Sequence, residues 1–194
     1  MNFFKGDCEY KKAPIFNKSG GKWRKVDFCF YFYSVITKNK LLNLHGEYEC
    51  TLDAKGRLIV PAALKKQLPA EAKDAFFINR GFEKCCVLYP ANEWDNIAGE
   101  INKLSDYIKK EREFKRYFLR GASRLEMDTA SRILLPKPLQ EYAGLNGGEL
   151  VLLAYGNKIE VWSKAEYDNM LSAEPEDFSA LAEEVMTKKK NEEQ

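Results

Sequence analysis

The period of apolar residues along this chain changes several times, and each change predicts an element. Residues 47–52, Glu-Tyr-Glu-Cys-Thr-Leu, alternate polar and apolar, which is the period of a half-buried strand. Asp53-Ala-Lys-Gly56 interrupts the alternation; Asp favours the opening of a tight turn and Gly accepts positive φ at its close. Leu58-Ile59-Val60 is a short apolar run that predicts a second strand. Pro61 then precedes a short helix over Ala62–Leu68, since proline's missing N–H costs nothing in a first helical turn. Further strands are expected at Ala75–Asn79 and Cys85–Tyr89, joined through Arg80-Gly81-Phe82. From Asn92 to Arg120, Trp94, Ile97, Ile101, Leu104, Ile108, Phe114 and Phe118 fall mostly at steps of three and four. That spacing predicts one long helix with one buried face, capped by Asn92 and stopped by Gly121.

The whole pattern then occurs a second time. Asp53-Ala-Lys-Gly56-Arg57-Leu58-Ile59-Val60-Pro61-Ala-Ala-Leu64 is echoed by Asp128-Thr-Ala-Ser131-Arg132-Ile133-Leu134-Leu135-Pro136-Lys-Pro-Leu139, with Asp, Arg, Pro and Leu at a constant offset of 75 residues. Strands at Leu150–Ala154 and Lys158–Trp162, joined through Tyr155-Gly156-Asn157, repeat the second pair of strands. Tyr89-Pro-Ala-Asn-Glu93-Trp94 is matched by Trp162-Ser-Lys-Ala-Glu166-Tyr167 at an offset of 73. This is an internal duplication. A unit of about 40 residues is near the lower limit for burying its own core, so the copies are expected to pack as one pseudo-twofold α+β body, mainly β. The expected segments are a first repeat at 46–91, a connecting helix at 92–120, a second repeat at 121–167, and a polar C-terminal helix and tail at 168–194. Within that last segment a short helix over Asp177–Met186 precedes a frayed end.

Residues 1–40 do not fit this scheme. They mix Gly, Lys and Asn with the aromatic run Phe28-Cys29-Phe30-Tyr31-Phe32-Tyr33 and lack the order of a signal peptide. They are read as a leader, disordered or a mis-assigned start, with the functional protein beginning near Leu41.

Charge adds a constraint. The net charge is +2, but residues 1–40 hold nine Lys/Arg against three Asp/Glu, which leaves the rest mildly acidic. Nucleic-acid contact would then need a local basic patch. Residues 103–124 hold eight Lys/Arg against three Asp/Glu, read either as a solvated, ion-paired helix face or as a surface turned to DNA or to another subunit. No run approaches the roughly 18–20 apolar residues of a membrane helix, so no membrane partner is expected.

The five cysteines, Cys8, Cys29, Cys50, Cys85 and Cys86, form neither a disulfide framework nor a zinc knuckle, and a reducing cytoplasm fits best. No metal or cofactor is expected. His45 and Cys50 are the one pair that thiol catalysis could draw on. Cys50 sits in a strand facing a core, where free cysteine is inert packing. Cys85-Cys86 in an extended strand would place at most one thiol inside. Ser19-Gly20-Gly21-Lys22 lacks the strand and helix context of a phosphate loop. The chain is therefore not read as an enzyme.

The stretch Gly46-Glu-Tyr-Glu-Cys-Thr-Leu-Asp53-Ala-Lys-Gly56-Arg57-Leu-Ile-Val-Pro61, with Asp128–Pro136 and Glu141-Tyr142-Ala143-Gly144-Leu145, resembles the MraZ family. The resemblance covers about residues 41–186 and rests on the paired motifs. It implies two AbrB-like swapped-hairpin repeats and a sequence-specific DNA-binding regulator of the division and cell-wall gene cluster. Such a regulator binds direct repeats in double-stranded DNA upstream of its own operon as a homo-oligomeric ring, in the cytoplasm at the nucleoid. It points to Arg57 as the DNA-contacting residue, with Lys55 beside it and Arg132 as the counterpart in the second copy. From the residues alone, Arg57 could equally pair with Asp53 or Asp128 and lock the turn. Ser131 stands where the family usually has Gly, which predicts a second turn of different shape or weaker DNA contact. The alternative reading is an AbrB-like antitoxin or another oligomeric DNA- or protein-binding module.

Overall fold

The computed structural model describes residues 42–72, 74–172 and 177–192. The expected leader over 1–40, with Cys8 and Cys29, lies outside the described residues.

The elements follow the duplicated pattern. In the first copy, β1 (Leu44–Thr51) leads through the Asp53–Gly56 turn into β2 (Arg57–Ile59) and α1 (Ala62–Lys65). Strands β3 (Ala75–Arg80) and β4 (Cys86–Pro90) come next. After α2 (Ala91–Asn102) and α3 (Lys109–Leu119), the second copy supplies β5 (Ser123–Glu126), β6 (Arg132–Leu134), α4 (Lys137–Tyr142), β7 (Glu149–Gly156) and β8 (Lys158–Ser163). Helices α5 (Lys164–Ser172) and α6 (Phe178–Glu192) follow. The last helix runs beyond the expected end at Met186.

The strands form a six-stranded antiparallel sheet in the order β1-β7-β8-β4-β3-β5 and a separate two-stranded ribbon, β2-β6. The order is its own mirror under exchange of copies. The first strand of each copy pairs with the hairpin of the other: β1 with β7, from Leu44 opposite Gly156 to Thr51 opposite Glu149, and β5 with β3. The two hairpins meet where β4 pairs with β8. Neither copy could keep these strands paired alone, which is the physical content of the expected pseudo-twofold body.

Period two in the strands gives the sheet two apolar faces. Leu44, Phe76, Ile78, Leu88, Leu150, Leu152, Ile159 and Val161 point into the main core, which the ribbon closes with Leu58 and Ile133 and the short helices close with Leu64 and Leu139. On the opposite face, Phe77, Trp94 and Phe118 stack with ring centroids 5.2 and 6.0 Å apart, which anchors α2 and α3. The duplicated aromatic pair is present twice, as Tyr89–Trp94 at 5.7 Å and Trp162–Tyr167 at 6.3 Å.

Three local expectations need correction. The segment 92–120 is two helices, because side chains satisfy the backbone of residues 104–108 in place of a helical ladder. The Glu111 carboxylate accepts from Ser105 N–H at 2.6 Å, Ser105 Oγ accepts from Tyr107 N–H at 3.2 Å, and Lys115 Nζ donates to Leu104 O at 3.0 Å. Pro90, not Asn92, holds the capping position of α2, and the Asn92 amide donates to Glu93 Oε1 instead. Cys85 and Cys86 are both buried, because Cys85 closes the bend at 82–85 rather than lying in the strand, so alternation does not reach it. Half of the eight basic residues in 103–124 are ion-paired, Lys103 with Glu100, Lys109 with Glu113, Lys115 with Asp106 and Arg124 with Glu126.

Candidate functional site

The two tight turns are conformational copies. In the first, Asp53 Oδ1 accepts from the backbone N–H of both Lys55 and Arg57 at 2.9 Å. Gly56 N–H donates to Asp53 O at 2.8 Å, and Asp53 N–H to Arg57 O at 3.0 Å. In the second, Asp128 Oδ1 accepts from Ala130 and Arg132 at 2.9 Å, and the two backbone bonds recur at 2.9 Å. An Asp side chain that replaces backbone acceptors in this way explains the residue type at the turn's opening. Gly56 sits at φ 78° and Ser131 at φ 58°, so the second turn has the same left-handed closing residue and the same shape as the first, against the expectation drawn from Ser131.

Each arginine is tied to its own turn. Arg57 Nε donates to Asp53 Oδ2 at 2.7 Å. Arg132 Nε donates to Asp128 Oδ2 at 2.8 Å, with Nη2 also 2.8 Å from that oxygen. The fold-keeping pair weighed from sequence is thus within each turn and does not cross between copies. It does not bury the arginines, whose side chains keep 31% and 35% of their exposure. The arrangement holds both carboxyls below the usual carboxylate range: Asp53 chiefly through the Arg57 backbone N–H, Asp128 chiefly through the Arg132 side chain. Lys55 is exposed at the tip of the first turn, and the second turn has Ala130 there.

The ribbon brings the turns together. β2 and β6 run antiparallel with Arg57 opposite Leu134, Leu58 opposite Ile133 and Ile59 opposite Arg132. The pseudo-dyad therefore passes through the Leu58–Ile133 pair. Those two are fully buried, and their neighbours turn outward. Arg57, Ile59, Arg132 and Leu134 consequently share one outer face, with Ile59 60% and Leu134 57% exposed. Of the three residues singled out in the sequence, Arg57 and Arg132 thus share one face of the ribbon, and Lys55 is exposed in the turn that leads into Arg57.

Sequence reasoning missed the two aliphatics. The signal was available, since period two places Ile59 on the face of Arg57, but Leu58-Ile59-Val60 reads as a uniformly apolar run. It also missed two side chains that meet the other copy's turn, one by a hydrogen bond and one by packing. Lys65 Nζ donates to Ser131 Oγ at 3.0 Å. Its counterpart Gln140 donates to Leu135 O at 2.6 Å and lies against Gly56, where an added Cβ would stand 2.3 Å from Gln140 Nε2.

No comparable constellation for catalysis is found among the described residues. His45 is exposed and Cys50 half-buried on β1, and their odd separation puts them on opposite faces. Burial pushes the Cys86 thiol up to about 12 and raises Cys85 and Cys50 as well, the reverse of what a nucleophilic thiolate needs. Among the described residues no group of three His, Cys, Asp or Glu could hold a metal ion. No helix among them is long and apolar enough to cross a membrane.

Comparison with known proteins agrees with the duplication. The family described as "MraZ protein, putative antitoxin-like" matches residues 44–117 and again 118–189. The chain is 45% identical over 147 residues to a protein of Christiangramia forsetii named "Transcriptional regulator MraZ", a match covering 75% of this chain and 94% of that one. Proteins of the same name from Flavobacterium psychrophilum and Cytophaga hutchinsonii are 42% identical over 142 residues and 37% over 147. These matches cover 73% and 76% of this chain, and 90% and 97% of the relatives.

Proposed function

Because the chain belongs to the MraZ family, whose relatives are named transcriptional regulators, we propose that it regulates transcription by reading double-stranded DNA with the β2-β6 ribbon. One observation carries this reading: two arginines and two aliphatics share the exposed outer face of a two-stranded antiparallel ribbon. The major groove admits such a ribbon.

Within this reading Arg57 is the principal base-reading residue. Asp53 takes its Nε, which leaves the Nη pair to meet guanine O6 and N7, a contact worth about 1–3 kcal/mol of discrimination. The ion pair holds the side chain before DNA arrives, so less freedom is lost on binding. Arg132 engages its carboxylate through two nitrogens and contributes less. Lys55, exposed at the turn tip, neutralises phosphate and sets position rather than sequence.

One ribbon makes few contacts. A homo-oligomeric ring that sets several ribbons against direct repeats upstream of its own division and cell-wall operon would raise avidity on the order of 100-fold. Its place is then in the cytoplasm at the nucleoid. Selection of duplexes from a randomised pool, then gel shift on the enriched duplex and native mass spectrometry, tests this. Arg57→Ala should bind the enriched duplex roughly tenfold to a hundredfold more weakly and keep its oligomeric mass, and wild-type affinity should fall steeply with salt. Unchanged binding by Arg57→Ala would remove the ribbon from consideration as the reading surface.

A further inference from the structure

Arg57, Arg132 and Lys55 account for the polar contacts of the ribbon face, and its aliphatic half is left facing solvent. Ile59 and Leu134 are the most exposed large apolar residues in any strand of the described chain, and they recur at the 75-residue offset. Their pairing registers place Ile59 opposite Arg132 and Leu134 opposite Arg57. The outer face is a checkerboard in which each arginine has an aliphatic across the ribbon and another two positions along its own strand. A polar residue would be the ordinary occupant of an exposed strand position facing water. Here both copies of the motif spend that position on a side chain that gains only when something apolar covers it.

We infer that Ile59 and Leu134 are specificity residues, making apolar contact with the C5-methyl groups of thymines in the groove that Arg57 and Arg132 enter. The inference rests on the reading of the ribbon as the DNA-binding surface. Charge selects this occupant. A second copy docked face to face would bring four arginines together, each paired with one carboxylate among the described residues. A DNA groove supplies excess negative charge for the arginines, and at its base edges it has one apolar group, the thymine methyl.

The test uses the full chain and a duplex enriched from a randomised pool. Each thymine in the enriched motif is replaced in turn by uracil, which removes the methyl and keeps every hydrogen-bonding group. Wild-type protein should lose about fourfold in affinity at one or more positions, the value of one buried methyl group. Ile59→Ser or Leu134→Ser should bind thymine and uracil equally at those positions, with an unchanged salt slope because phosphate contacts remain. Both residues are exposed, so the variants should keep their fold, checked by circular dichroism. The uracil series on wild-type protein stands even if they do not. An enriched motif in which no thymine responds to uracil overturns the inference and leaves the ribbon reading intact. So do serine variants that discriminate as wild type does, or that change the oligomeric mass instead. A pool that yields no enriched duplex overturns both.

Discussion

Lys65 of the first copy donates through Nζ to Ser131 Oγ of the second across 3.0 Å, so a side chain on the short helix α1 braces the turn of the other repeat. Ser131 needs the brace. At φ 58° it occupies a backbone region that costs a non-glycine residue about 1–2 kcal/mol. Ser131→Ala keeps that strain and loses the bond, and should destabilise the protein by about 1 kcal/mol. Ser131→Gly relieves the strain as it loses the bond, and should lie within about 0.5 kcal/mol of wild type. Urea denaturation of the three proteins gives the order; a glycine variant less stable than the alanine variant would show that glycine's extra unfolded-chain entropy outweighs the left-handed strain it relieves.

The first turn should respond differently. Gly56 has φ 78°, and its absent Cβ leaves room for Gln140 Nε2, which donates to Leu135 O. Gly56→Ala adds backbone strain and displaces that amide, and should cost about 2 kcal/mol or more. Gln140→Ala in the same background should recover part of the loss, since it removes the atom in the way. The coupling is read from the double-mutant cycle on urea midpoints.

Much of this arrangement was legible from the chain because the motif is local. Asp at the turn's opening, Gly or Ser at its close, Arg next and Pro after the strand all act within nine residues, so their recurrence at an offset of 75 exposed the duplication directly. Most of what escaped depended on contacts between distant residues. The break between α2 and α3 is made by Glu111 and Lys115 reaching back to the backbone of residues 104–105, while the apolar period runs through it unbroken at Leu104 and Ile108. The exposure of Ile59 had only one local signal, its period-two relation to Arg57, and the uniformly apolar run Leu58-Ile59-Val60 masks it. Lys65 and Gln140 read as helix-surface residues until the other copy's turn is set beside them.

The Asp53–Arg57 pair should separate orientation from charge in DNA recognition. Arg57→Ala removes the reading group and should lower affinity for the enriched duplex by roughly tenfold to a hundredfold, with Arg132→Ala losing less. Asp53→Asn keeps an Oδ1 acceptor for the Lys55 and Arg57 N–H groups but releases the guanidinium from its anionic partner. Binding to random duplex should hold or rise, since a negative charge has left the face, and the ratio of specific to non-specific affinity should fall. Competition titrations against random duplex measure that ratio. An Asp53→Asn protein with full specificity would mean that the ion pair serves the fold alone.

Acid should loosen the turns in a defined window. The Asp53 and Asp128 carboxyls lie below the ordinary value, through the Arg57 backbone N–H and the Arg132 side chain respectively. A depressed folded-state value stabilises the fold above the unfolded value, about 3.9 for Asp, and that stability is lost as pH falls through the folded value. Thermal midpoints should therefore decline below about pH 4. The Asp53→Asn, Asp128→Asn double variant should start lower and decline less. Asp106, held down by Lys115, keeps part of the acid sensitivity in that variant.

Between about pH 8.5 and 10 the buried thiols govern the alkaline loss of stability, and above that range Tyr142, Tyr155 and Tyr167, also raised by burial, add to it. Cys85 and Cys86 are both inside the fold, and Cys86 donates through Sγ to Leu139 O at 3.4 Å. Burial raises both thiols, Cys86 to about 12, against an unfolded value of about 8.5. A raised acid is protonated in the fold and ionised in the unfolded chain between those values. Its stabilisation is complete below about pH 8.5 and is lost as pH climbs toward the folded value. Midpoints should fall above about pH 9, and Cys86→Ala should flatten that fall, at the cost of a small cavity near Leu139. Iodoacetamide at pH 8 gives an independent check, with peptide mass spectrometry reading each site. Cys50, half-buried on β1, should label in the native protein, and Cys85 and Cys86 only after denaturant is added. Native labelling of the Cys85-Cys86 peptide at the rate of Cys50 would require the bend at 82–85 to open in solution, and would undo the argument that these thiols are packing groups.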